Sequence, residues 1–166
     1  MNTYTLNPAL LPGARNAIET CLAILPREKV ALIFDEPSEE VATSLKQALE
    51  DRKAIPNALR IEDYMTRPAR SAPPEILASL ETADAGILCM QPLEGELGAR
   101  KDIVAVVERR QIRYAHMVGV TPEIMQQGMR ADYRLVDRLS ERLRNRMPSA
   151  RSLTVRTEAG TSPSSQ

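Results

Sequence analysis

Two uninterrupted apolar runs constrain this chain more than anything else in it. Lys29–Asp35 reads KVALIFD, and Ala85–Met90 reads AGILCM. Neither alternates polar with apolar, so neither suits a strand with one wet face. Such runs fit strands covered above and below, as in a parallel sheet. Two weaker runs, Ala58–Ile61 and Tyr114–Val118, repeat the theme, and helical patterns separate all four. Strand and helix in alternation predict an α/β chain: an open, mostly parallel sheet of about five strands with helices on both faces.

The helical stretches carry their own punctuation. Leu10, Ala14, Ile18, Cys21 and Leu22 recur at helical spacing behind Asn7-Pro8. Asn is a good cap and Pro a good first residue, but Pro12-Gly13 interrupts, so the regular helix is expected to begin near Gly13. Ser38 is the expected cap of a second helix, with Val41, Leu45, Ala48 and Leu49 inward. Glu62–Pro74 holds three prolines and two arginines and reads as a loop, followed by a helix from Pro74 to about Thr82. Gln91–Gly98 is a loop, and a helix follows from about Ala99 to Arg110. Thr121-Pro122-Glu123 opens a short helix.

A long amphipathic helix, Asp132–Met147, places Leu135, Val136, Leu139, Leu143 and Met147 on one stripe, expected to be core. Arg134, Arg138 and Arg142 form a second row, expected to be a solvated face with ion pairs at helical spacing. Leu153–Thr157 is expected as a last parallel strand, completing a βαβ unit. Residues 1–161 then form one domain, and 162–166 a disordered polar tail.

Composition removes several function classes. The 166 residues balance 22 Lys and Arg against 22 Asp and Glu, and only 3% are aromatic. A neutral chain with few rings suits neither phosphate-backbone steering nor base stacking, so no nucleic-acid partner is expected. No apolar run is long enough to span a bilayer. No secretory leader is visible. The two cysteines, Cys21 and Cys89, sit far apart in apolar surroundings and suit a reducing, cytoplasmic setting.

Chemistry is sought in the loops that follow the strands. Asp35-Glu36 follows the first strand, but the central strand ends in Met90-Gln91, without the further acid that a metal-phosphoryl site needs. Neither a dinucleotide fingerprint nor a P-loop is present, and Gly95 and Gly98 are flanked by Glu94 and Glu96, which repel phosphate. With His116 the only histidine, no metal site and no cofactor are expected. A Cys89–His116 nucleophile is the one enzymatic alternative. Set against it, a thiol inside an apolar run is ordinarily inert packing.

Several blocks together resemble a known family. They are Gly13-Ala14-Arg15, Cys21-Leu22, Glu28–Ile33 with Asp35, then His116–Met125, Met129 with Ala131-Asp132-Tyr133, and Thr157–Thr161. Their order and spacing are similar to the N-terminal domain of the aminopeptidase T-like (leucyl aminopeptidase-type) metallopeptidases, from about residue 13 to residue 161. The resemblance implies a Rossmann- or flavodoxin-like sheet. In that family the metal ligands and catalytic groups belong to a second domain, before which this chain is expected to stop. What it implies is therefore a non-catalytic, truncated peptidase half that binds a peptide or protein. Such halves are similar to crocagin-type accessory proteins, which would present a precursor peptide to modifying enzymes in ribosomal-peptide natural-product biosynthesis. Asp35, Gln91, Glu94, His116, Gly119 and Thr121 are the expected peptide contacts, and a homodimer or partner subunit the expected cover for exposed apolar surface. The alternatives are a regulatory or structural subunit of a full-length peptidase-like chain, and a fragment of an intact peptidase.

Overall fold

Four parallel strands form the sheet in the computed structural model, which describes residues 5–158, Gly160 and the backbone of 164–165. They are β1 (Lys29–Phe34), β2 (Ile55–Arg60), β3 (Ala85–Met90) and β4 (Arg113–Val118), in the order β2-β1-β3-β4. Register is continuous: Val30 lies opposite Pro56 and Ala85, and Gly86 opposite Tyr114. The continuous apolar runs are the two inner strands, β1 and β3. Every residue of β3 is buried.

The sheet has an apolar cluster on each face. Val30, Leu32, Ile87 and Cys89 pack with helix α2 (Glu39–Asp51) and with a helical segment from Pro8 to Cys21. Ala31, Ile33, Leu88 and Met90 pack with α3 (Pro74–Glu81) and α4 (Leu97–Arg110). Leu32, Leu45, Ile87 and Leu88 are fully enclosed. Each such side chain contributes about 1.5–3 kcal/mol over an exposed one.

The first helical segment runs through the Pro12-Gly13 interruption, contrary to the sequence expectation. It starts at Pro8, where the Asn7 side chain accepts from the Ala9 amide, continues as α1 (Leu11–Arg15), and ends in a π-helical turn, Asn16–Cys21. Pro12 does no harm because a proline in the first turn removes an amide that has no helical partner. The cap of the next element also differs. Asp35, not Ser38, accepts from the Ser38 amide and opens a 3-10 turn (Glu36–Ser38) that leads into α2.

The chain divides into two compact units, one to Arg130 and one from Ala131. The first ends with α5 (Pro122–Gln126), capped by the Thr121 hydroxyl, and a 3-10 turn, Gly128–Arg130. The second holds α6 (Tyr133–Arg146), capped by Asp132. Its stripe is amphipathic as expected but is not core: Leu135, Val136, Leu139, Leu143 and Met147 are all exposed. Nor does the last strand join the parallel sheet. β5 (Leu153–Thr154) pairs antiparallel with β6 (Ser164–Ser165), so the main sheet has four strands rather than about five. Of the tail expected to be disordered, 162–163 and Gln166 lie outside the described residues. No helix among the described residues is long and apolar enough to cross a membrane.

Candidate functional site

Open α/β sheets place ligands at the carboxyl ends of strands, where the chain order switches direction. Here that point lies between β1 and β3, and Arg67 fills it. The guanidinium grips Glu96 with two bonds, Nε to Oε1 at 2.7 Å and Nη2 to Oε2 at 2.6 Å. Nη2 also donates to the Gln91 carbonyl at 2.7 Å, and Nη1 donates to Asp35 Oδ2. Asp35 and Glu96 are both fully buried. Burial alone pushes the Glu96 carboxyl up, but the Arg67 hydrogen bond, the Ala69 amide and the Arg67 charge outweigh it and hold the group low. The same bonds, with Glu96 first, hold Arg67 firmly protonated. A planar fork facing two carboxylates and a carbonyl leaves little donor capacity for a ligand.

A second ring of charge surrounds this plug. Arg60, at the end of β2, lies 3.5 Å from both Glu36 and Glu62 and 3.9 Å from Glu39. The Glu62 carboxylate accepts from the Glu36 amide and sits 3.6 Å from Arg67. A cleft of about 360 Å³ opens beside it, lined by apolar Leu32, Phe34 and Ala58 and by charged Glu39, Lys46, Arg60 and Asp63 among others. None of the sequence-predicted contacts lines it.

Those six predicted residues fall into three groups. Asp35 and Gln91 belong to the plug's framework: Asp35 accepts from the Gln91 amide at 2.8 Å, and the Gln91 side chain donates to the Val120 carbonyl at 2.7 Å. Asp35 is thus internal scaffold, with its oxygens engaged by Ser38, Gln91 and Arg67. Gly119 and Thr121 frame the turn after β4. Gly119 takes φ +78, a left-handed geometry that costs glycine little, and its amide donates to the Met90 carbonyl. Glu94 is exposed in the turn before α4 and takes no part in the network. His116 stands apart, exposed on β4.

Register separates Cys89 from His116. Cys89 lies opposite Met117 and belongs to the cluster on the α2 face, whereas His116 lies opposite Leu88 on the α3–α4 face, beside Tyr114. The sheet therefore stands between the two side chains. Burial pushes the Cys89 thiol up to about 12, so it is protonated at neutral pH. The proposed nucleophile–base pair does not form.

No protein-family model matches this chain, and no curated protein sequence matches it. The geometry alone must carry the reading. Among the described residues no group of three or more His, Cys, Asp or Glu side chains is arranged to hold a metal ion.

Sequence reasoning assigned no role to Arg67, treating its segment as a proline-rich loop. A signal was present: two acids flanking the inner strands, at 35 and 96, require a cation if both are buried.

Sheet edges complete the site. β2 and β4 are the outer strands, each paired on one side. β2 carries Pro56, which withholds an amide and blunts that edge. β4 has no proline, and its side chains are half-buried or exposed throughout. Among the described residues, its outer side is a sheet edge that no proline blunts.

Proposed function

We propose that this chain is a non-catalytic peptide-binding protein that receives an extended segment along β4 by strand addition. The observation that carries the reading is the proline-free outer edge of Arg113–Val118. Strand addition draws affinity from main-chain hydrogen bonds and specificity from alternate side chains. With Arg67 filling the switch point, the sheet edge still offers ordered backbone donors and acceptors. Resemblance to the peptidase family supports a peptide as the partner class. On that resemblance, the partner is a precursor peptide presented to modifying enzymes of ribosomal-peptide natural-product biosynthesis.

A recovered partner tests this directly. The tagged chain is isolated from its own organism, retained peptides are identified by mass spectrometry, and the synthetic peptide is returned to the pure protein. Hydrogen exchange should then slow across 113–118. A peptide that binds without slowing exchange there would refute the β4 site, and recovery of no peptide would refute the reading itself.

A second reading, a subunit that pairs with a full-length peptidase-like chain or with itself, is favoured by the exposed apolar stripe of α6. Protection of 133–146 by a co-purifying protein, with 113–118 unchanged, would support it instead.

A further inference from the structure

The cleft beside Arg60 exists because β2 brings little bulk to the α2 face. Leu32 of β1 lies opposite Ala58, and Phe34 opposite Arg60. Leu59 belongs to the cluster on the α3–α4 face. Alternate strand residues share a face, so Ala58 and Arg60 project to the α2 face instead. A methyl group at 58 fills little of the space between β2 and α2. Leu32 is fully buried, yet Phe34 is only half-buried and Ala58 is exposed. The small side chains Ala42 and Thr43 line the cleft from α2. What remains is an apolar hollow of about 360 Å³, a volume in the range of small-molecule sites.

Charge around this hollow is unequal. Arg60 is already shared, at 3.5 Å from Glu36 and Glu62 and 3.9 Å from Glu39. Lys46 lies 3.8 Å from Glu50. Arg67, 3.6 Å from Glu62, is committed to Asp35 and Glu96. Asp63 also lines the cleft and is exposed, and among the described residues it forms no ion pair. Both lining cations therefore have carboxylate neighbours, whereas the solvent-facing acid has no cation against it.

We infer that this cleft binds a small amphipathic cation, an aryl- or alkyl-ammonium, whose apolar body lies over Leu32, Phe34 and Ala58 and whose charge meets Asp63. Burial of the apolar body supplies the affinity. The carboxylate decides the sign of the ligand, through a charge-assisted hydrogen bond. An anion of the same shape would find Arg60 and Lys46 already beside carboxylates and would meet Asp63 as a like charge. The cleft lies at β2, the outer strand at the other end of the sheet from β4, so it is independent of strand addition.

Phenethylammonium, phenethyl alcohol and hydrocinnamate share a phenyl ring on a short chain and differ in charge. Each is titrated into the isotope-labelled full chain at pH 7, and the methyl resonances of Leu32, Ala42 and Ala58 are followed by NMR. The ammonium should shift them saturably and bind about fivefold more tightly than the alcohol, the upper scale of an exposed ion pair. Hydrocinnamate should bind more weakly than the alcohol. Asp63→Asn should bring the ammonium to the alcohol's affinity and leave the alcohol unchanged. Ala58→Leu, which fills the cleft from an exposed position, should abolish the saturable shifts of Leu32 and Ala42 with all three probes. Circular dichroism confirms that both variants are folded. No saturable shift in the wild type would overturn the site, and shifts that survive Ala58→Leu would overturn its placement in the cleft. Equal affinity for ammonium and hydrocinnamate, or an ammonium indifferent to Asp63→Asn, would overturn the choice of a cation.

Discussion

Replacing Arg67 with Met should expose how the sheet's carboxyl edge is held. The side chain is only 8% exposed and faces two carboxylates that are fully buried. At an effective dielectric of about 20, one unit pair at about 4 Å attracts by about 4 kcal/mol, so two pairs attract by about 8 kcal/mol. Burying the guanidinium costs several kcal/mol of that. The net loss in Arg67→Met at pH 7 is then about 3–5 kcal/mol, as for other broken buried pairs. Urea unfolding followed by circular dichroism measures it. The pH dependence gives a sharper check. In the wild type the Glu96 carboxyl is held low, so its contribution is present above the ordinary carboxylate range and is lost as pH falls through the folded value. In the variant the Ala69 amide remains, but burial, the largest influence on this carboxyl, acts without the Arg67 bond and charge and raises the folded value above the unfolded one. That contribution is present at low pH and lost as pH rises, so the deficit should shrink between pH 7 and pH 5, by up to about 2.7 kcal/mol for one carboxylate. Adding Glu96→Gln should restore part of the loss at pH 7, since a neutral amide needs no cation. A deficit under about 1 kcal/mol at pH 7, or one equal at both pH values, would refute the claim that Arg67 stabilises these acids in their charged form.

Three further outcomes follow from the packing. Native chain at pH 8 should show Cys21 reacting with a thiol reagent, because it is exposed, while Cys89 reacts only after unfolding; equal rates would mean that the Cys89 cluster opens. Gly98→Ala should cost about 1–3 kcal/mol by chemical denaturation, because the new Cβ would sit 2.1 Å from the Arg70 carbonyl oxygen and displace the segment that carries Arg67. Gly128→Ala, with open space around its Cβ, is the control and should change stability by less than about 0.5 kcal/mol. Leu139→Gln on α6 should likewise cost less than about 0.5 kcal/mol in dilute solution, whereas a loss above about 2 kcal/mol would show that a partner covers the stripe.

The two inner strands were the most legible part of the sequence, for a physical reason. A strand buried on both faces has no polar positions to confuse with a turn, so β1 and β3 emerge almost residue by residue. β2 was read short, from Ala58, and the structure extends it back through Pro56-Asn57 to Ile55, residues that an edge strand tolerates. For α6 the pattern correctly predicted which residues share a face. Periodicity does not say what covers that face, and its apolar residues are exposed. The same limit explains β5: the order strand, helices, strand suggested a parallel partner, but order along the chain does not choose the pairing, and Leu153 lies opposite Ser165.

Asp35 shows why a site is harder to read than a strand. An acid just after a buried strand suits a ligand contact and an internal anchor equally well, and no local signal separates the two. What separates them is a cation elsewhere in the chain. Arg67 lies 32 residues from Asp35 and 29 from Glu96, in a segment whose prolines advertise only a loop. Once that cation is in place, both buried acids at the switch point are hydrogen-bonded from within, one guanidinium to two carboxylates, and neither is left facing outward for a ligand.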